Sequence, residues 1–281
     1  MGNSNILKGE NLHKRFEGVV AVDSISCSLY EGEILGLVGE NGAGKSTLVK
    51  MMVGVEKPTK GEVIINGRAV RIHDPIEART KYKIGIVFQE DTTLTNLSVA
   101  ENLFIGEEQK FYKWGAISHK KLFEEARKVL KSVNLNVDPA QPASELSMAE
   151  RKLLALAKIL MSDVDVIILD ETTAPLDRVE VEQLFEILRK CKQEGKTIIF
   201  ISHRLGEVLE ICDKIFVMRE GKLVGELDNK GLTEEHIIEL MTGVKPTAVF
   251  PEREVVAVEE KPILVVRNIR SGNILRGVNL E

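Results

Sequence analysis

Several patterns are missing from this chain, and each absence narrows what it can be. Cysteine is scarce: Cys27, Cys191 and Cys212 are the only three in 281 residues. They are odd in number and far apart, which leaves neither a disulfide framework nor a paired metal-ligand spacing. They read as reduced thiols packed in a core of a cytoplasmic protein. Long apolar runs are also lacking, since stretches such as Ile34 to Val38 and Val166 to Leu169 fall far short of the ~20 residues that cross a bilayer. The polar start, Met1 to Asn5, has no charged-then-apolar export pattern, so export is not expected, and with no spanning run any membrane role is expected to be peripheral. Positive charge is not in excess either. With a net charge of -5, no global field draws a phosphate backbone, and nucleic acid is not an expected partner. Sustained heptads are absent, which excludes a long coiled-coil insertion.

What is present is a globular composition, 43% hydrophobic and 29% charged, enough for one sizeable domain and something extra. From Ile6 to Val38, short alternating or apolar segments broken at Glu31-Gly32-Glu33 read as strands with a turn. Strand and helix patterns then alternate: strand Ile34 to Val38, helix Lys45 to Met52, and strands Glu62 to Ile65 and Ile84 to Phe88. The stretch from about Asn96 to Lys131 turns helical, with Leu122, Phe123, Ala126, Val129 and Leu130 at helix spacing and Trp114 as its anchor. A helix from Met148 to Met161, strand Asp165 to Asp170, helix Val179 to Glu194 and strand Thr197 to Ser202 follow. A hairpin (Lys214 to Met218, Lys222 to Leu227) and a helix from Thr233 to Met241 close the pattern. Buried apolar strands repeatedly followed by helices imply an α/β fold built on a mostly parallel sheet.

Beyond Gly243 the composition shifts to Val, Glu, Lys and Pro, which reads as a linker over 244–262. Residues 263–281 then echo the beginning: Ile263-Leu264 and Asn268-Ile269 match Ile6-Leu7 and Asn11-Leu12, and Leu275 to Asn279 resembles Val22 to Ser26. The expectation is a tandem chain cut short just after its second copy begins, although so short a stretch also admits chance similarity.

Two motifs carry chemistry. Gly39-Glu40-Asn41-Gly42-Ala43-Gly44-Lys45-Ser46, followed by Thr47, fits G-x-x-x-x-G-K-[ST] between a predicted strand and a predicted helix. Glycines there let main-chain N–H groups curl around phosphate, Lys45 reaches the outer phosphates, and the Ser46 hydroxyl is placed for magnesium. Val166 to Glu171 is a buried strand ending in two carboxylates. At the C-terminal end of a parallel strand these face the ligand crevice, which suits Asp170 to hold magnesium and Glu171 to orient or deprotonate water. Paired acids in that place also serve as helix caps.

Together with Gln89, the run Leu146-Ser147-Met148-Ala149-Glu150, the segment Ala174-Pro175-Leu176-Asp177, and His203 after a strand, these motifs occur in the order of an ABC transporter ATPase, which the chain resembles over 6–243. The resemblance implies a P-loop cassette with an N-terminal antiparallel β subdomain, a helical subdomain at about 96–160, and bound ATP and Mg2+. It implies that Phe16 stacks on adenine, although core packing is the plain alternative. Gln89 would be the lid glutamine that touches magnesium, and His203 the switch histidine at the γ-phosphate; an exposed linker Gln and a structural His are the alternatives. Ser147, Met148, Ala149 and Glu150 would form the signature and Asp177 the link between cassettes, though an Asp there is equally an N-cap. The family's signature is normally Leu-Ser-Gly-Gly-Gln. Met148 and Ala149 replace its glycines, and Ser147 with Glu150 spells a capping box, so a weakened signature is expected. Thr172 stands where the family usually has Pro, and Pro175 is a further departure.

As partners the resemblance implies a second cassette, transmembrane permease subunits and, indirectly, a substrate-binding protein, at the cytoplasmic face of the membrane. The build and the stretch Thr95 to Gly106 resemble monosaccharide importers of the ribose, galactose and xylose type. A same-build importer of nucleosides or a signalling molecule is the near alternative. A ribosome-associated tandem-cassette translation factor is the distant one, disfavoured by the short mixed linker and negative charge. His13, His73, His119, Met51 and Met52 read as surface or packing residues.

Overall fold

The computed structural model describes residues 5–113, 116–245, 264–271 and 275–280. The chain divides into two compact units, Met1–Lys245 and Pro246–Glu281. Strands β1 (Asn5–Phe16) and β2 (Val19–Tyr30) open the first unit as an antiparallel pair of twelve residues each. The sequence pattern shows only short segments here because the strands bulge. Asn11 and Ser24 take φ 48° and 55°, and the register slips around them, so the inside-outside phase changes while the strand continues.

Next come β3 (Ile34–Gly39), α1 (Lys45–Met52), β4 (Lys60–Ile65) and β5 (Arg68–Val70). The first sheet has the order β2-β1-β4-β5. Helix α2 (Pro75–Tyr82) escapes a periodicity reading because it buries only Ala78. Its start is nevertheless written locally: the Glu77 N–H donates to Asp74 Oδ1 at 2.8 Å, with Pro75 in the first turn. Strand β6 (Ile84–Val87) precedes the helical insert, made of α3 (Val99–Phe104), a small hairpin of β7 (Tyr112–Lys113) and β8 (Ala116–Ile117), and α4 (His119–Ser132). The expected helical stretch is thus interrupted, with Gly106 at φ 85° and the hairpin falling where helical apolar spacing lapses. The Trp114 anchor lies outside the described residues. Helix α4 buries Leu122, Ala126 and Leu130, one stripe at four-residue spacing.

The chain continues through α5 (Met148–Leu160), β9 (Val166–Asp170), α6 (Arg178–Gln193), β10 (Thr197–Ile201), α7 (Leu205–Ile211), β11 (Lys214–Arg219), β12 (Lys222–Asp228) and α8 (Glu234–Thr242). The second sheet has the order β12-β11-β3-β10-β9-β6, parallel throughout except for the antiparallel edge strand β12. Both its faces are covered, which is why its strands read as continuous apolar runs. Alternate residues divide between two cores. Ile198 and Phe200 of β10 face the helices α5, α6 and α7, whereas Ile199 and Ile201 face α1 and the first sheet. Phe200 meets Phe185 of α6 edge-on at 5.9 Å, and truncating either to Ala is expected to cost about 3–5 kcal/mol. The parallel pairings of Ile201 with Leu37 and with Asp170, and of Val87 with Leu169, bring the C-terminal ends of four strands to one level. That edge carries the site.

Cys27, Cys191 and Cys212 are buried free thiols, and burial pushes Cys27 up to about 11. Among the described residues, no helix is long and apolar enough to cross a membrane.

The second unit contains an antiparallel hairpin of β13 (Val266–Ser271) and β14 (Leu275–Leu280). Its backbone repeats that of β1 and β2. Asn268 and Gly277 take φ 50° and 76°, where Asn11 and Ser24 take 48° and 55°. The Asn268 N–H donates to Asn279 Oδ1 at 2.8 Å, as the Asn11 N–H donates to Ser26 Oγ at 3.0 Å. Ile269 pairs with Val278 as Leu12 pairs with Ile25.

Candidate nucleotide-binding site

Strand β3 is buried along its whole length and ends at Gly39, where an added Cβ would lie 2.4 Å from the Met218 carbonyl oxygen. Gly42 and Gly44 take φ 82° and 98°, the left-handed region that favours glycine. A Cβ on Gly44 would also meet the Ala21 carbonyl at 2.2 Å. Gly44 is the N-cap of α1, no side chain caps that helix, and its first turn holds no acid. Its first N–H groups are therefore uncommitted to side chains, and the helix dipole adds partial positive charge there. Lys45 is buried and folds back over the loop, its Nζ donating to the carbonyls of Gly39 at 2.8 Å and Glu40 at 3.1 Å. Burial pulls its pKa below that of a free lysine, opposed by the carboxylates of Glu171 and Asp170. Ala43 is buried under the loop, its N–H donating to the Glu40 carbonyl at 3.1 Å.

Asp170 ends β9 almost fully buried and accepts from Ser46 Oγ at 3.2 Å. Burial pushes its carboxyl above the usual range; the Ser46 hydroxyl opposes this and the Glu171 charge adds to it. Glu171 stands at φ 47°, and its N–H donates to the Ile201 carbonyl at 3.0 Å. Left-handed backbone on a residue with a long side chain costs about 1–2 kcal/mol, and it turns Glu171 out of the strand into the cleft. There Glu171 Oε2 accepts from Gln89 Nε2 at 2.7 Å, which joins the loop after β6 to the end of β9.

Gly42, Gly44, Lys45, Ser46, Gln89 and Glu171 line a cleft of about 720 Å³ together with Phe16, Ala21, Asn41, Thr47 and His203, whereas Gly39, Glu40, Ala43 and Asp170 do not border it. Phe16 is 43% exposed, with Lys14 Nζ over its ring 4.9 Å from the centroid, so the ring lies at the surface instead of packing in the core. His203 follows β10 on the exposed rim. The loop beneath it is held by Glu207, whose carboxylate accepts from Ser202 Oγ at 3.0 Å and Thr173 Oγ1 at 2.7 Å.

Ser147, Met148, Ala149, Glu150 and Asp177 do not line this cleft. Ser147 caps α5 through a complete capping box: the Glu150 N–H donates to Ser147 Oγ at 3.2 Å, and the Ser147 N–H donates to Glu150 Oε2 at 2.7 Å. Met148 is 49% exposed and Ala149 is buried. Asp177 caps α6 in the same reciprocal way with Glu180, both bonds at 2.8 Å. Thr172 is buried and its Oγ1 makes no hydrogen bond.

Two contributors escaped the sequence reading. Ala21 leaves no signal, since only its carbonyl and its proximity to Gly44 matter. Lys152 does leave one: it stands on the buried stripe of α5 with Ala149, Leu153 and Leu156, where a lysine needs a reason.

Magnesium takes oxygen ligands. Ser46 Oγ, the Asp170 carboxylate and the side-chain carbonyl of Gln89 supply oxygens beside the loop, and a cation there would relieve the cost of burying Asp170. The donor set fits the metal.

A glycine-lined loop at an uncapped helix start, facing acids from a parallel strand two places along the sheet, defines a P-loop nucleotide cassette. The chain belongs to the ABC transporter family, whose model matches residues 22–174. It is 40% identical over 276 residues to the ribose import ATP-binding protein RbsA 3 of Rubrobacter xylanophilus, covering 98% of this chain and 55% of that protein. It is 35% identical to a putative ribose/galactose/methyl galactoside import ATP-binding protein of Halalkalibacterium halodurans, covering all of this chain and 53% of that one. The chain thus spans about half the length of these relatives. Among solved structures it is similar to a nucleotide-free ATP-binding cassette of an ABC transporter (TM-score 0.72, 28% identity, 85% of this chain and 96% of that one). A dimeric post-hydrolysis cassette bound to ADP and Pi also matches (TM-score 0.70, 26% identity, 81% of this chain and 100% of that one).

Proposed function

We propose that this chain binds ATP with Mg2+ and hydrolyses it to ADP and phosphate to drive a membrane importer of a monosaccharide. The observation that carries the reading is the meeting of three strand ends at one cleft: Ser46 with Asp170 at 3.2 Å and Gln89 with Glu171 at 2.7 Å, beside the phosphate loop. In this reading the N–H groups of Gly42 to Thr47 and the Lys45 ammonium hold the phosphates. Phe16 offers its exposed ring to adenine. Ser46, Asp170 and Gln89 hold the metal, which supplies charge neutralisation across the phosphates. Glu171 orients the attacking water and accepts its proton, and His203 closes on the outer phosphate from the rim.

The domain reading is that residues 6–243 form one cassette with a helical subdomain at about 96–160, 244–262 a linker, and 263–281 the start of a second cassette. The shared bulge geometry at Asn11 with Ser24 and at Asn268 with Gly277 supports the repeat. A second cassette would complete the shared sites, meeting Ser147 to Glu150 and Asp177, with permease subunits as the membrane partner and a substrate-binding protein upstream. The protein would then sit peripherally on the cytoplasmic face of the membrane. Similarity to ribose and galactose import ATP-binding proteins supports a monosaccharide as the cargo. The nucleotide chemistry leans on the cleft.

The test is Glu171→Gln in the full-length protein assembled with its membrane partners. Nucleotide affinity is expected to stay within about threefold while turnover falls by about 10²–10⁴. Turnover at the wild-type rate would overturn the hydrolytic assignment, and uptake of labelled monosaccharides into vesicles, compared with nucleosides, tests the cargo.

A further inference from the structure

Three consecutive main-chain carbonyls converge on one buried ammonium. Lys152 Nζ donates to the oxygens of Phe88 at 2.7 Å, Gln89 at 2.5 Å and Glu90 at 3.3 Å. An ammonium has three donors, so the group is fully spent on this one loop. Lys152 is 7% exposed, and a buried charge is tolerated only when it is satisfied in this way. Burial pulls its pKa down, while Asp91, Asp170 and Glu90 oppose the shift. The neighbouring residue extends the grip: Arg151 donates through Nη1 to Asp91 Oδ2 at 3.0 Å and through Nη2 to the Ser144 carbonyl at 3.1 Å. Burial raises Asp91, but hydrogen bonds from Thr93 and Arg151 outweigh it and hold the carboxyl below its usual range. The first turns of α5 therefore fasten residues 88–91, and the side chain of Gln89 is one hydrogen bond from Glu171.

We propose that Lys152 is a positioning residue for hydrolysis: it fixes the main chain at Gln89 so that the amide reaches Glu171, and it makes the start of α5 and the Gln89–Glu171 pair move as one body. This rests on the reading of Glu171 as the residue that activates water and of Gln89 as a metal-holding residue hydrogen-bonded to it. Its consequence is directional. Ser147 to Glu150 sit on the same helix start, so a load placed on that turn reaches the Gln89–Glu171 pair of the same chain through Lys152, with Arg151 bracing the loop at Asp91.

The experiment is a double-mutant cycle in the full-length protein with its membrane partners, using Lys152→Met, Gln89→Ala and the pair. Met keeps the length and volume of the stem and removes the three donors. Lys152→Met is expected to leave nucleotide affinity within about twofold, lower kcat about tenfold with little change in KM, and cause no further loss in the Gln89→Ala background. Lys152→Gln, which keeps two N–H donors on a shorter stem, is expected to retain part of the rate, and it carries the same cycle if the Met variant does not fold. Wild-type turnover in a folded Lys152 variant, or an equal loss with and without Gln89, overturns the proposal. Glu171→Gln run alongside separates the two failures: unimpaired turnover there removes the hydrolytic role of Glu171 itself, whereas its loss beside an inert Lys152 removes only the positioning role.

Discussion

Two helix N-termini in this chain, α1 and α5, treat their free N–H groups in opposite ways. Helix α1 begins at Gly44 in left-handed backbone, with no side-chain cap and no acid in its first turn. Helix α5 begins at Ser147 in extended backbone and closes on itself with a complete capping box. An uncapped start is locally unfavourable, because a good N-cap is worth about 1 kcal/mol to a helix. Helix α1 forgoes that and leaves its dipole for an anion. Helix α5 takes it, and a phosphate approaching it would have to displace Glu150 and pass the exposed Met148. Two helix starts of the same general kind thus differ in how ready each is to receive charge.

The most damaging way to break this contrast is to give α1 what α5 has. Thr47 occupies the third position of α1, as Glu150 does in α5. Thr47→Glu places a carboxylate where phosphate would lie, and ATP affinity is expected to drop by about 100-fold or more in a fluorescent-nucleotide titration. Lys45→Ala removes the charged donor but leaves the N–H cradle intact. It is expected to cost about 2–3 kcal/mol of nucleotide binding by calorimetry. Sharpening the comparison from the other side, Ser147→Ala is expected to cost about 1 kcal/mol in chemical unfolding without changing nucleotide affinity in the cleft. The smallest effect is expected of Thr172→Val. It removes a buried hydroxyl that makes no hydrogen bond and should raise stability by about 0.5–1 kcal/mol, read from the same denaturant midpoint.

What could be read from residue order was whatever local chemistry dictates. The phosphate loop, the acids at the end of β9 and the box at Ser147 each need neighbours only a few positions away, and their types and spacing are visible along the chain. Helix α2 was not visible, because it buries one residue and so carries no apolar period. Hairpin β7–β8 has strands of two residues each, too short to alternate. The bulges at Asn11 and Ser24 concealed two long strands as several short ones. Lys152 was missed for another reason. Its partners are carbonyls more than sixty positions earlier, and a main-chain oxygen carries no residue type for a pattern to find.

The pairing of β3 also bears on how the chain is made. This central strand, which ends in the phosphate loop, is hydrogen-bonded only to β10 and β11, so Ile34 waits for Ile198 and Leu35 for Lys214. At ~5–20 residues per second, a ribosome needs on the order of 10–40 s to supply those partners. During that interval an apolar strand and its glycine loop lack the neighbours that shape them, and the nascent segment is exposed to aggregation. If the cleft takes nucleotide as proposed, its capture is expected late in synthesis, and a nascent chain arrested before Arg219 is expected not to hold ATP.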